Sequence, residues 1–375
     1  MDIEDIMNTI DFILSYVVWS PNPAVFPSFE RLRWYSLLFA MGFIISQQIM
    51  FYIYRKEGEA EKLVDRLTIY MVLATIIGAR LGHVLFYEPE KYLSNPIDIL
   101  KVWEGGLASH GAAVAILFAL YLYARKVPSQ SYLWVVDRIV IVVAMVGAMI
   151  RIGNLMNSEI GGKPTGSDSG FVFARDAEEI LETMRIPVLS VDAYKPENRS
   201  AELTGNGIVP VNFDIRIEKG GFSEADLRTA LETDVKYVLT RFRSSQKYLA
   251  ESPESPLNFD LMDKGDHYLA TIYTFGIARY PTQIYEAVTY FIIFLFLYFM
   301  WQKYKSRLPD GLFLGLFLIS VFGMRFVWEF LKENQVEFEE NLTFNMGQAL
   351  SIPLVIGGLI LVILALKRGF KPEKS

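Results

Sequence analysis

The stretch from Gly147 to Glu159 ends an apolar run that begins at Leu133, and it ends it with Arg151, Asn154, Asn157 and Glu159. A guanidinium at membrane depth costs roughly 3 kcal/mol even on lenient insertion scales, so an arginine there calls for a partner or a task. Arg151, Asn154 and Ser158 are spaced i, i+3 and i+7, which puts them on one face of a helix. Two readings of Arg151 stand side by side. It either snorkels to lipid headgroups at the surface or meets an anion within the protein. The asparagines favour the second, because a mere anchor has no need of further donors and acceptors.

Other groups with chemistry gather at the ends of other apolar runs. Arg80, His83 and Tyr87 share one helical stripe, with Gly78 and Gly82 among them to let a neighbouring helix approach closely. Arg80 either holds a phosphate or pairs with a carboxylate, and His83 reads as a satisfied core histidine. Gly105-Gly106-Leu107-Ala108-Ser109-His110-Gly111 presents a titratable imidazole beside free backbone N–H groups at a helix start. That makes His110 the best candidate for moving a proton. Arg325 and Glu329 stand at i, i+4, the spacing of a salt bridge within a helix. A second arginine of this kind also suggests convergence on an anion. Paired arginine forks suit a phosphate ester and stabilise charge gathering on a phosphate leaving group. The residue chemistry therefore points to an enzyme handling phospholipid and leaves the acceptor unnamed.

These groups need helices to carry them. With 52% hydrophobic residues, 27 Phe and 20 Tyr in 375, the chain is too apolar for an ordinary soluble enzyme. Apolar runs of membrane length occur at 35–54, 67–86, 108–123, 133–150, 284–301, 311–330 and 350–366. The fold expected is an all-α polytopic membrane protein of about seven transmembrane helices. Asp2, Glu4 and Asp5 leave no basic region for a cleavable signal peptide, so the first span directs its own insertion. Lysines and arginines follow spans one, three, five and seven, which faces those loops to the cytoplasm and the polar motifs to the outer side.

Four segments follow. Residues 1–34 form an interfacial segment, with Ile3, Ile6, Ile10, Ile13 and Leu14 on one helical face. Residues 35–162 carry spans one to four, and 276–375 carry spans five to seven and a cytoplasmic tail. Between them, 163–275 is a small α/β insertion on the outer side. Val211 to Glu218 alternates as a half-buried strand does, Gly220-Gly221 turns the chain, and Ser223 with Asp226 marks a capped helix start. From Asp176 to Ala270 there are 18 acidic against 11 basic residues in a chain of net charge −6, so the membrane part is close to neutral and nucleic acid is excluded as a partner. No metal-ligand spacing or nucleotide loop is present, and no cofactor is expected. The chain has no cysteine, so any thiol in its chemistry belongs to a substrate.

Six blocks, in order, resemble the prolipoprotein diacylglyceryl transferase family. They are Arg33-Trp34-Tyr35, Gly105 to Gly111, Arg151 to Glu159, Pro281-Thr282-Gln283-Ile284-Tyr285-Glu286, Arg325 to Glu329 and Met346-Gly347-Gln348. The resemblance implies a seven-span inner-membrane enzyme that moves diacylglycerol from phosphatidylglycerol to the lipobox cysteine thiol of a prolipoprotein signal peptide, releasing glycerol 1-phosphate. It implies that Arg151 and Arg325 hold the phosphate and that His110 takes or positions the thiol proton. Asn154, Asn157 and Glu159 then order the pocket, and Tyr35 lines it, with Arg80 and Glu329 among the substrate-binding groups. Ile150, Leu155, Ser158 and Ala112 depart from the expected pattern, Ser158 standing where a glycine would precede Glu159. The rival reading is a phospholipid transporter or flippase, in which the same arginines mark a headgroup path; repeated halves would favour it, and none is visible.

Overall fold

The computed structural model describes residues 16–26, 29, 32–102, 105–333 and 344–370. In chain order the main elements are β1 (Tyr16–Trp19), α1 (Trp34–Glu57), α2 (Lys62–Phe86), α3 (Ser109–Lys126), α4 (Tyr132–Met156), β2 (Gly170–Phe173), α5 (Arg175–Glu182), β3 (Val188–Tyr194), β4 (Ile208–Glu218), α6 (Glu224–Ala230), β5 (Phe259–Asp263), β6 (His267–Ile277), α7 (Thr282–Tyr304), α8 (Leu312–Trp328) and α9 (Met346–Arg368). Each of the seven apolar runs is a helix. Among the described residues six helices, α1, α2, α4, α7, α8 and α9, are long and apolar enough to cross a membrane. Helix α3 is the exception. Its 18 residues rise about 27 Å at ~1.5 Å each, less than the ~30 Å hydrocarbon core, and Ser109, His110, Arg125 and Lys126 make both its ends polar. The interfacial helix expected over Ile3 to Leu14, and the acidic loop beyond Glu333, lie outside the described residues.

The chain divides into two compact units. One comprises Met1–Leu38, Ile150–Glu286 and Val327–Asn345; the other comprises Phe39–Met149, Ala287–Phe326 and Met346–Ser375.

The second unit is helical. Ile53, Tyr54, Leu120, Ile141, Leu297, Trp301 and Phe313 are fully buried, while Ile44, Phe118, Phe291 and Ile360 stand exposed. An apolar exterior of this kind needs lipid around it. Lipid offers no hydrophobic drive between helices, so small residues and buried polar pairs must hold them together. Both are present. A Cβ on Gly82 would come within 2.7 Å of the Gly111 Cα, so α2 and α3 cross where neither has a side chain. Glu57 accepts from Arg138 at 2.8 Å and from Trp301 Nε1 at 2.6 Å, and the Asp137 carboxylate caps the start of α8 through the N–H groups of Gly311 (2.7 Å) and Leu314 (2.8 Å).

The first unit contains the insertion. Its antiparallel sheet has the order β3-β4-β6-β5, with β4 and β6 paired from Ile208↔Ile277 to Glu218↔His267. The alternation expected of this strand holds from Phe213 onward, with Phe213, Ile215 and Ile217 fully buried and Arg216 and Glu218 exposed; before it Val209 and Val211 are fully buried too, and Asn212, which accepts from Arg199, is also buried. The apolar residues pack on Leu181, Leu227, Leu231 and Val235. Ser223 and Asp226 form the capping box at α6. The same core includes Tyr16 of β1, which runs parallel to β2 and donates its hydroxyl to Pro210 O at 2.6 Å. Trp19, at the end of β1, donates to Leu155 O at 2.9 Å and so satisfies one of the last carbonyls of α4.

Candidate active site

Helix α4 continues past the apolar run to Met156, which carries Arg151 and Asn154 on its last turns. It then stops in a Schellman turn: Glu159 N donates to Asn154 O (2.9 Å) and Ser158 N to Leu155 O (3.0 Å). Ser158 is therefore not on the helical face with Arg151 and Asn154, contrary to its spacing, because the helix ends two residues before it. Its φ is +54°, the left-handed region where glycine is favoured, and Ile160 follows at +59°. A non-glycine residue there costs roughly 1–2 kcal/mol. This turn brings the Glu159 side chain back onto its own helix end. Asn154 Nδ2 donates to Glu159 Oε2 at 3.3 Å, Asn157 Nδ2 to Oε1 at 3.3 Å, and Arg151 donates to Asn154 Oδ1 at 3.4 Å.

The first turns of α7 close on this segment. Thr282 Oγ1 donates to Ile160 O at 3.0 Å and Gln283 Nε2 to Glu159 O at 2.5 Å, and Thr282, Gln283 and Glu286 are all 0% exposed. One turn on, the Glu286 carboxylate meets two cations. Arg151 Nε lies 3.1 Å from Oε2, as an ion pair without hydrogen-bond alignment, and Lys332 Nζ donates to Oε1 at 2.8 Å. Lys332 also donates to Glu329 at 3.2 Å, and Asn345 Nδ2 reaches the other Glu329 oxygen at 3.3 Å. A string of alternating charges thus runs Arg151, Glu286, Lys332, Glu329, the last three buried, and ends on the neutral amide of Asn345. Tyr35 belongs to the same place: a Cβ on Gly153 would come within 2.8 Å of its ring, so the missing side chain makes room for it.

Of the expected residues, Tyr35, Arg151, Asn154, Asn157, Glu159 and Glu329 fall in this unit. Glu329 sits not in α8 but in the 3-10 turn after it, which is how Lys332 and Asn345 reach its carboxylate. Residue-by-residue reading missed Glu286 and Lys332 as site groups. An acid inside the first turns of an apolar helix was a signal for Glu286; for Lys332 the only hint was its spacing of three from Glu329. Arg279, also unassigned, is buried and donates to Gly162 O (3.0 Å), to Lys247 O and to Glu333, stapling three segments together. Lys247 in turn bonds Glu333 at 2.8 Å. Burial works to raise the Glu333 carboxyl, but the bonds from Lys247 and Arg279 hold it below the usual carboxylate range.

Arg80, His110 and Arg325 lie in the second unit. Among the described residues Arg80 pairs with no carboxylate. Its guanidinium donates to the carbonyls of Ile99 (2.9 Å), Asp98 (2.5 Å), Gly105 (2.7 Å) and Gly106 (3.3 Å) and lies over the Tyr92 ring. It ties the 3-10 turn Pro96–Leu100 to the glycine pair that precedes α3, using main-chain carbonyls with acceptor capacity to spare. His110 stands at the exposed start of α3, its ring 5.2 Å from that of Phe86 and 5.8 Å from that of Tyr87. Arg325 is in α8. Gln348, at the start of α9, donates to Phe326 O at 3.4 Å.

A family model described as prolipoprotein diacylglyceryl transferase matches residues 23–364 of this chain. Three relatives carry the name phosphatidylglycerol--prolipoprotein diacylglyceryl transferase. The protein from Tolumonas auensis is 32% identical over 336 residues, 90% of this chain and 92% of its own length. That from Chloroherpeton thalassium is 32% identical over 355 residues, 94% of this chain and 96% of its own. That from Porphyromonas gingivalis is 34% identical over 371 residues, 96% and 99%.

Proposed function

Because this chain belongs to the prolipoprotein diacylglyceryl transferase family, we propose that the buried string around Glu286 exists to hold Arg151 against the phosphate of a phospholipid. The chain is a membrane transferase that moves the diacylglyceryl group of phosphatidylglycerol to prolipoproteins. The observation that carries the site assignment is the ion pair of Arg151 with a fully buried carboxylate that a second cation also holds. A guanidinium fixed in this way needs no reorganisation as charge develops on a leaving group.

In this reading Arg151 and Arg325 bind the phosphate, Asn154, Asn157 and Glu159 order the pocket around it, and Tyr35 lines it. Arg80 acts at one remove by fixing the loop before His110. The sulfur of the lipobox cysteine attacks the glycerol carbon that bears the phosphate. The C–S bond forms as the C–O bond breaks, and the electron pair leaves with glycerol 1-phosphate. The thiol proton passes to His110, which matters because a thiol of pKa about 8.5 is mostly protonated at neutral pH.

The topology we propose has α3 as a seventh, short crossing, the insertion outside and the C-terminus in the cytoplasm of a bacterium's inner membrane. The basic residues Arg55, Lys56, Lys62, Arg66, Arg125, Lys126, Lys303, Lys305, Arg307, Lys367 and Arg368 support that orientation. The test of function is direct. Purified protein with phosphatidylglycerol and a lipobox peptide should give a mass shift of one diacylglyceryl group on the cysteine, and a cysteine-to-serine peptide should give none. Lipid movement between leaflets without any peptide adduct would replace the transferase with a transporter.

A further inference from the structure

Asn157 and Gln283 spend their amide N–H groups on the same residue, Asn157 on the Glu159 carboxylate and Gln283 on the Glu159 carbonyl. Each keeps an amide oxygen in reserve. Among the described residues Asn157 Oδ1, Gln283 Oε1 and the neighbouring Ser158 Oγ are buried and make no hydrogen bond. Gln283 is 0% exposed and Ser158 6%. Buried polar atoms of this kind are few in folded proteins and each asks for a reason.

Asn157 and Gln283 both bond Glu159 and Ser158 precedes it in the chain, and Asn154 links that glutamate to Arg151. The two amide oxygens only accept, while the Ser158 hydroxyl can also donate, so what completes the amides is a donor. Neutral acceptors suit a neutral donor, such as a hydroxyl, better than a second cation beside Arg151. The donor lipid supplies this group: the headgroup of phosphatidylglycerol carries free hydroxyls a few bonds from its phosphate. We propose that Gln283 Oε1, with Asn157 Oδ1 and Ser158 Oγ, accepts the headgroup hydroxyls and so selects a polyol headgroup. The inference rests on the reading of Arg151 as the phosphate holder.

The experiment compares three donors in phosphatidylcholine vesicles with the full-length protein and a lipobox peptide: phosphatidylglycerol, phosphatidylpropanol, which has the same phosphate and no free hydroxyl, and phosphatidylethanolamine. A site built around a substrate hydroxyl discriminates strongly against the analogue lacking it, so the wild type should favour phosphatidylglycerol over phosphatidylpropanol by on the order of 100-fold or more in kcat/KM. Gln283→Leu should shrink that ratio at least tenfold, and Asn157→Leu should shrink it too. A role limited to holding Glu159 would lower both rates together and leave the ratio in place, which overturns the proposal. Equal use of the two donors by the wild type overturns it even if the variants do not accumulate, as does a preference for phosphatidylethanolamine. No adduct from any donor would bring down the transferase reading itself, and this inference with it.

Discussion

Arg151 Nε lies 3.1 Å from Oε2 of Glu286, a carboxylate with no exposure to solvent. The other oxygen of Glu286 is held by Lys332. Removing one member of a buried charge pair typically costs about 3–5 kcal/mol, because the partner is left uncompensated. Glu286→Gln should therefore lower thermal stability in detergent and also release Arg151 from its fixed orientation. We expect kcat to fall at least tenfold with a smaller change in KM, since the lost stabilisation belongs to the transition state. A Glu286→Gln enzyme of lower melting temperature and unchanged kcat would limit Glu286 to a structural part.

The arginines themselves are tested by lysine. Arg151→Lys and Arg325→Lys keep a charge but lose the planar fork that grips two phosphate oxygens. Each should retain only a few per cent of the transfer rate while reaching the membrane at wild-type levels, and alanine should do no better. Near-normal turnover of either lysine variant at matched expression counts against two-point phosphate holding.

Much of this architecture is legible in the sequence because lipid permits few solutions. A run of apolar residues there must close its own hydrogen bonds as a helix, so all seven runs were placed to within a few residues. Strand β4 was legible for the opposite reason: its alternation fits only a sheet with one dry face, and Val211 to Ile217 could not form an amphipathic helix. The charge string was not legible. Arg151, Glu286 and Lys332 come from three distant segments, and nothing local to Lys332 distinguishes it from a residue at a membrane surface. Spacing failed at Ser158 because a helix end is a matter of one left-handed residue, which periodicity does not register. For Arg80 both alternatives are anions, whereas its partners are main-chain carbonyls of a 3-10 turn and of the glycine pair after it, and those are invisible to residue type.

His110 should show itself through pH. If it takes the thiol proton, His110→Gln lowers turnover at neutral pH and recovers part of it as the pH rises toward and past about 8.5, where the substrate thiol ionises unaided. Turnover measured from pH 6.5 to 9.5 decides the matter. A loss that is constant across the range assigns His110 to orienting substrate or supporting the start of α3.

Glu178 gives the insertion a pH dependence of its own. Burial is the main cause that pushes its carboxyl from the ordinary 4.5 up to about 7, against the hydrogen bond it accepts from Ala193 N at 2.7 Å. A carboxyl raised on folding is more easily kept protonated in the folded state. Its contribution is complete below about pH 4.5 and is lost as the pH climbs through about 7. Hydrogen exchange of β3 in the intact protein should quicken, beyond the intrinsic effect of pH, between pH 5 and about 7. Glu178→Gln should remove that extra acceleration; an unaltered profile would show that this carboxyl does not govern the strand.

The insertion carries the excess negative charge of the chain and shares a unit with Arg151 and Glu286. Long ordered segments beside a site commonly serve as lids or docking surfaces, and we expect this one to govern access for protein substrates. Replacing Asp176 to Ala270 with a Gly/Ser linker should spare transfer to a short lipobox peptide and slow transfer to a full-length precursor at least fivefold. The excision also takes away Lys247, whose ammonium holds Glu333 and whose carbonyl holds Arg279. Lys247→Met is therefore the control: it breaks the link to Glu333 while keeping the backbone and should affect the two substrates alike. If the excised enzyme loses both activities equally, the insertion is part of the fold that supports Arg279 and has no part in choosing substrates. If it loses neither, the sheet has no bearing on transfer, and its acidic surface must be explained by something other than the reaction.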